Sequence, residues 1–238
     1  MPGFRLAAAG DLHCRAEQVG RFRELVRAVN GEAEALLLAG DLTDHGLVDE
    51  AKRLAEALAE LKVPCAAVLG NHDFEGGVVK ELVRILAEAK VQVLDGDHAL
   101  FQRRVGVAGV KGFGGGFERG MLQAFGEPAI KAFVQEAVSE ALKLEAALAQ
   151  LDVELRVVLL HYAPISATCA GEAPELLPYL GTSRLGVACD SFGATVIVHG
   201  HAHHGIAEGR TPGGRPVYNV ALPVLKKEGD RKFRVIEL

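Results

Sequence analysis

The 238-residue sequence has no Trp, three Tyr and only four Cys. The cysteines are Cys14, Cys65, Cys169 and Cys189, and no two of them form a Cys-x-x-Cys pair. That excludes a zinc knuckle and a redox dithiol, and reduced thiols in a reducing compartment are expected. Cys65 reads as core, and Cys14, directly after His13, is placed near whatever His13 serves. No apolar run reaches the roughly 20 residues of a membrane span. The opening MPGFRLAAAGDLH has no charged segment leading into a long apolar stretch. No membrane role is therefore expected, and the location expected is cytoplasmic. Basic residues are not in excess: Lys+Arg 26 against Asp+Glu 31 gives a net charge of −5. A long nucleic acid is not expected as a partner, since that needs a basic stripe. The short groups Arg103-Arg104, Lys226-Lys227 and Arg231-Lys232 read as solvated faces. No internal repeat and no linker rich in Pro or Ser divides the chain, so residues 1–238 read as a single domain. The Gly-rich stretch Lys111–Gly120, KGFGGGFERG, lacks the Gly-Lys-Ser/Thr of a P-loop and the third Gly of a dinucleotide fingerprint. It reads as a flexible turn, the alternative being a loop that closes over substrate.

What the chain does have is apolar material, 49% of residues, arranged in short runs that stop abruptly. Ala35–Gly46, ALLLAGDLTDHG, is the plainest. Its first five residues can be buried on both faces, but a buried strand cannot carry a free Asp, so Asp41 belongs where the strand leaves the sheet. RLAAAGDLH likewise ends at Asp11 and His13, CAAVLGNHD at Asn71, His72 and Asp73, RVVLLHY at His161, and TVIVHGHAHH at His201 and His203. In open α/β sheets the carboxyl edge of the strands is where ligands bind.

Periodicity predicts strands over Phe4–Ala9, Ala35–Ala39 and Val63–Leu69, alternating with helices over Glu17–Asn30, Leu47–Leu61 and Gly77–Ala89. Such alternation implies parallel crossovers, with the strand ends at one edge. After Val91 the rhythm changes to short strands at Gln92–Leu94, Ala99–Gln102 and Val105–Val110. Pro128 stands like the first residue of a helix running to about Leu151. Strands follow at Arg156–Leu160 and Thr195–Val198, separated by a loop with short helical pieces over Glu172–Ser191. Hairpin strands are expected at Gly205–Glu208, Pro216–Val220 and Lys232–Glu237.

If the strands are adjacent, Asp11, His13, Asp41, Asn71, His161, His201 and His203 converge. Burying so many polar groups costs free energy unless something binds them. Oxygen and imidazole donors without thiolate suit a divalent ion such as Mn²⁺, Fe²⁺ or Zn²⁺. Seven ligands are too many for one ion and suit two if one carboxylate bridges. A two-metal centre clamps the attacking and leaving oxygens of a phosphoryl transfer and generates hydroxide at neutral pH.

Asp11-Leu12-His13, Gly40-Asp41, Gly70-Asn71-His72-Asp73, His161 and Gly200-His201-Ala202-His203, in this order, resemble the calcineurin-like metallophosphoesterase superfamily. The resemblance implies an α/β fold, a four-layer αββα sandwich with two central mixed β-sheets. It implies two divalent ions, with Mn²⁺ favoured over Fe²⁺ or Zn²⁺. One would be held by Asp11, His13, Asp41 and His203, the other by Asp41, Asn71, His161 and His201, with Asp41 bridging. His72 would bind no metal, facing the scissile phosphate and protonating the leaving oxygen, and the Asp44 carboxylate would orient that imidazole.

Departures from the pattern narrow the branch. Protein Ser/Thr phosphatases carry Asp-Arg-Gly where this chain has Asp44-His45-Gly46, and purple acid phosphatases need a Tyr where Asp44 stands. The wording Gly-Asp-Leu-Thr-Asp is similar to that of small bacterial phosphodiesterases. The function implied is a di-metal phosphodiesterase cleaving small nucleotide-like phosphoesters. The alternatives are a metal-dependent nuclease and a non-catalytic scaffold on the same fold. The partner expected is a small phosphoester, and a homo-oligomer is compatible with the sequence. His45 is a candidate substrate contact, His199 and His204 read as neighbours of the ligand pair, His98 as a surface loop residue and Arg15 as solvated.

Overall fold

The computed structural model describes residues 3–17, 19–229 and 231–238. The elements run β1 (Arg5–Ala9), α1 (Val19–Glu32), β2 (Ala35–Ala39), α2 (Val48–Leu58), β3 (Cys65–Val68), α3 (Asn71–Glu75), α4 (Val79–Glu88), β4 (Val91–Val93), β5 (Asp97–Phe101) and β6 (Val105–Val110). They continue with α5 (Pro128–Ala149), β7 (Leu155–Leu160), α6 (Leu177–Leu180), α7 (Ser183–Ser191), β8 (Val196–His199), β9 (Glu208–Arg210), β10 (Pro216–Asn219), α8 (Leu222–Lys227) and β11 (Arg234–Glu237).

Among the described residues the strands form two mixed sheets, ordered β11-β1-β2-β3-β4 and β5-β6-β7-β8-β10-β9. In the first, β1 to β4 are parallel and β11 is antiparallel to β1. In the second, β6, β7, β8 and β10 are parallel, with β5 and β9 antiparallel at the two edges. The sheets pack face to face. Leu36, Leu38 and Val68 of the first share one core with Val107, Val157, Leu159 and Val198 of the second. The alternate residues of the second sheet, Val110, Val158, Leu160 and Ile197, pack outward on Leu144 and Leu148 of α5 and Leu185 of α7. With both faces covered, the strands read as unbroken apolar runs, as they must when neither face meets water. The result is the expected four-layer αββα sandwich.

Three expectations need correction. Lys232–Glu237 does not extend the hairpin made by β9 and β10. The chain turns through α8, which the sequence reading did not include, and β11 joins the first sheet beside β1. His98 is not in a loop: it lies in β5, half-buried, paired with Ala108. The Lys111–Gly120 stretch is not a free turn. Gly115 N–H donates to Pro178 O (2.6 Å), Gly116 N–H to Gly181 O (2.9 Å) and Ser183 N–H to Gly116 O (3.2 Å), lacing it to the segment before α7.

The carboxyl ends of the two sheets meet at one edge. Gly10 N–H donates to Val220 O and Leu222 N–H to Gly10 O, tying the end of β1 to the end of β10. Asp11 N–H donates to Gly40 O and His13 N–H to Asp41 O, so the segments leaving β1 and β2 continue side by side.

Candidate active site

Each motif places its polar residue in the first turn after a strand. The backbone there is bent sharply. Asp11, His13, Asp41 and His201 have φ of 56°, 45°, 48° and 68°, four of the eight non-glycine residues at positive φ among the described residues. Such conformations cost about 1–3 kcal/mol each and persist where the surroundings over-determine them. The neighbouring glycines explain part of that. A Cβ on Gly70 would collide with Asp41 Oδ1, and one on Gly200 with Asp11 Oδ2. These carboxylates lie directly against backbone, and only glycine leaves room.

Asp11, Asp41 and His161 are buried. Asp41 divides its two oxygens. Oδ1 lies 3.4 Å from His161 Nε2 and Oδ2 lies 3.9 Å from His13 Nε2. His203 Nε2 is 2.8 Å from Asp11 Oδ1, and His201 N–H donates to both Asp11 oxygens at 3.1 and 3.0 Å. The side chains fall into two sets able to converge on an ion: Asp11, His13 and His203, and Asp41, His161 and His201, with ligand atoms within 4.8 Å of one another in each. Asn71 joins the second set, its Oδ1 3.0 Å from His161 Nε2. A third grouping, His13 with Asp44 and His72, meets the same distance, but there Arg15 Nε already occupies Asp44 Oδ2 at 2.7 Å.

Proton positions test whether cations fit. His161 Nδ1 lies 2.9 Å from Ala39 O, and His201 Nε2 lies 3.2 Å from Tyr179 O. A carbonyl only accepts, so those nitrogens carry the hydrogens. With Nδ1 held by Ala39 O, Nε2 is the His161 atom turned toward Asp41 Oδ1 and Asn71 Oδ1, so the three could converge on one cation. Burial pushes His201 down to about 3, so the ring is neutral and free to ligate. His13 makes the same point: both its ring nitrogens are buried with no hydrogen-bond partner, and unpaired buried polar atoms are rare unless something binds them. The donor set fits divalent ions. His199 is a contrast. Its Nδ1 donates to Gly200 O (2.7 Å) and its Nε2 accepts from the Thr168 hydroxyl (2.8 Å), so it is satisfied within the protein and burial holds it at about 4.

A family model described as calcineurin-like phosphoesterase matches residues 4–205. The chain belongs to that family. It is a phosphoesterase, and the family uses divalent metals. No curated protein sequence matches it. Among solved structures it is similar to the phosphopantetheinyl hydrolase PptH from Mycobacterium tuberculosis, with TM-score 0.72 and 17% identity over 100% of this chain and 96% of that one. GAP50, the anchor in the inner membrane complex of Plasmodium, gives TM-score 0.57 and 13% identity over 94% and 73%. A putative 5'-nucleotidase from Staphylococcus aureus in complex with α-ketoglutarate gives 0.54 and 14% over 91% and 48%. At these identities the likeness is one of fold. Among the described residues, no helix of this phosphoesterase is long and apolar enough to cross a membrane.

His72 stands beside the two sets, its ring 4.6 Å from that of His13. Its main-chain N–H donates to Asp41 Oδ1 (2.9 Å), and its ring Nδ1 lies 2.7 Å from the main-chain carbonyl of Asp44. This corrects the expected part of Asp44: the peptide carbonyl, not the carboxylate, holds the imidazole. The carboxylate turns instead to Arg15, with His45 Nε2 at 3.3 Å and His13 Nδ1 at 3.4 Å. Arg15 is therefore engaged rather than merely solvated. Burial disfavours the charged His72 ring, but the Asp44 carbonyl and the charges of Asp41, Glu75 and Asp44 outweigh it and raise the pKa above the ordinary histidine value. His45 is exposed and leans on Asp44 and Glu75. His204 is exposed, its N–H on Glu172. Cys14 is buried, its thiol pushed up to about 12 by burial, and serves packing rather than chemistry.

Sequence reasoning gave no structural part to Asp73. It is fully buried, and its carboxylate accepts from Gly70 N–H (2.8 Å), Leu42 N–H (3.2 Å), Thr43 N–H (2.8 Å) and the Thr43 hydroxyl (2.6 Å). It clamps the ends of β2 and β3 together. A carboxylate three residues after Gly70 is an N-terminal helix signal, which was available in the sequence.

Proposed function

We propose that this phosphoesterase is a two-metal phosphodiesterase acting on small nucleotide-like phosphoesters. The observation that carries the reading is the division of Asp41, one oxygen toward His161 and one toward His13. A single buried carboxylate turned to two donor sets is what a bridging ligand requires. In this reading one ion takes Asp11, His13, Asp41 and His203, and the other Asp41, Asn71, His161 and His201. Nitrogen and oxygen donors without thiolate favour Mn²⁺, with Fe²⁺ and Zn²⁺ also suited. Bound there, the pair would supply Lewis-acid activation of water and charge neutralisation of the phosphate.

The protein's own groups then have separate tasks. The carbonyls of Ala39 and Tyr179 fix the tautomers of His161 and His201 and so aim their lone pairs. His72, anchored through Nδ1–H, presents Nε2 to the site. Its raised pKa favours the doubly protonated ring, whose Nε2–H is the proton a leaving oxygen would take. A net charge of −5 argues against long polyanions as substrate. The test is an Mn²⁺-supplemented panel of phosphomonoesters, linear and cyclic diesters and nucleotides. Diesters are expected to be cleaved at least tenfold faster than monoesters, and the reverse order would make the protein a monoesterase.

A further inference from the structure

Aromatic side chains are scarce here, Phe 10 and Tyr 3 with no Trp, yet three of them surround one cation beside the active site. Lys111 leaves β6 where its carbonyl accepts both His161 N–H (3.0 Å) and Tyr162 N–H (3.1 Å). Its ammonium lies 4.8 Å from the centroid of Phe113, 5.4 Å from Tyr162 and 5.7 Å from Phe74. Tyr162 is packed on the proposed ligands, its ring 4.4 Å from His201 and 5.3 Å from His161. Phe74 follows His72 by two residues and is 45% exposed. Tyr162 thus lies against both the Lys111 ammonium and the rings of His161 and His201.

Among the described residues, Lys111 Nζ makes one hydrogen bond, to Gly112 O at 2.7 Å. The nearby buried carboxylate, Glu140, does not pair with it. One Glu140 oxygen accepts Gly112 N–H (2.7 Å) and the other takes Lys143 Nζ (2.8 Å). An ammonium has three donors. A half-buried one with a single acceptor and no carboxylate in contact is costly to keep. Three ring faces offset part of that cost, and they leave two N–H groups with no acceptor.

We propose that Lys111, walled by Phe74, Phe113 and Tyr162, forms a substrate subsite, and selects phosphoesters that carry an anionic oxygen beside a flat ring. Phe74, the exposed ring of the three, gives a planar group an apolar surface, and the unused donors give its anion a charge-assisted hydrogen bond. This rests on the phosphodiesterase reading of the neighbouring site and names the substrate feature that reading leaves open. Lys111 is a specificity contact and has no part in the bond-breaking step.

Methyl phenyl phosphate and methyl 4-carboxyphenyl phosphate differ by one carboxylate on the leaving phenol. With Mn²⁺-loaded protein, the ratio of kcat/KM for the carboxylated over the plain ester should fall about tenfold in Lys111→Met, the size of one charge-assisted hydrogen bond. Lys111→Arg should retain most of the ratio. A general loss of folding or metal lowers both rates and leaves the ratio unmoved. A ratio within twofold of wild type in Lys111→Met overturns the proposal. If wild type cleaves neither ester, the phosphodiesterase reading is what fails. The subsite is then decided by NMR titration with 4-hydroxybenzoate and phenol. Wild type should bind 4-hydroxybenzoate about fivefold more tightly than Lys111→Met does, with phenol binding alike in both. Equal affinities for 4-hydroxybenzoate overturn it.

Discussion

His72 Nδ1 lies 2.7 Å from the main-chain carbonyl oxygen of Asp44. The support of the proposed acid therefore depends on where the Asp44 backbone runs and not on its side chain. His72→Ala should keep its metal and lose about 10²–10⁴-fold in kcat on an ester with a poor leaving group. Asp44→Asn, which leaves the carbonyl in place, should cost less than about tenfold. Steady-state kinetics on the two variants separate the cases: an Asp44→Asn loss as large as that of His72→Ala would return the orienting role to the carboxylate.

Asp41 is placed to touch both donor sets, and its amide analogue should disturb both. Asp41→Asn should hold fewer than one ion per chain after desalting, where wild type holds about two, as a two-metal centre requires. Metal analysis by mass spectrometry checks this. Retention of one tightly held ion in Asp41→Asn would remove Asp41 from the bridge.

The sequence made the strands legible because both faces of each sheet are covered. Ala35–Ala39 and Val105–Val110 are apolar throughout and have the bounds expected of them. The polar residues at the strand ends were legible for the same reason, since an Asp or His cannot continue a doubly buried strand. What escaped was non-local or weakly coded. Nothing near Arg234–Glu237 says that it pairs with Arg5–Ala8 at the opposite end of the chain. α8 is six residues long with a Pro in its first turn, and α7 carries Gly186 within its nine residues, so neither has a strong periodic signal. The Asp44 contact escaped because residue types describe side chains, and the group that acts there is a peptide carbonyl.

Asp73 is expected to matter for stability more than for chemistry. Asp73→Ala leaves four buried donors at the ends of β2 and β3 without their acceptor. Each such loss costs about 1–3 kcal/mol singly, and the four are not additive, so a total of about 3–5 kcal/mol is expected. Denaturant unfolding of the metal-free protein measures it. A loss below about 1 kcal/mol, within the range of ordinary surface substitutions, would mean the clamp is dispensable.

The Asp11–His203 pair should give the metal-free protein a distinctive pH dependence. Burial by itself would raise the Asp11 pKa, but the bond from His203, the charges of His161 and His203 and the His201 N–H hold it down at about 2, against the ordinary 3.8. The bond to Asp11 raises His203 above its ordinary 6.5 despite partial burial. A depressed carboxylate stabilises the fold above its unfolded value and stops doing so as pH falls toward 2. A raised histidine stabilises it fully below 6.5 and loses that as pH rises through its folded value. The pair is thus at full strength between about pH 4 and 6.5. In chelator-treated protein, His203→Ala should lower Tm more at about pH 5 than at about pH 8. Metal reverses the preference. A ligating His203 must shed its proton, so Mn²⁺ should raise the wild-type Tm more at about pH 8 than at about pH 5. Thermal melts at the two pH values, with and without Mn²⁺, give all four numbers. A metal-free His203→Ala protein that loses more at the higher pH would contradict the pairing.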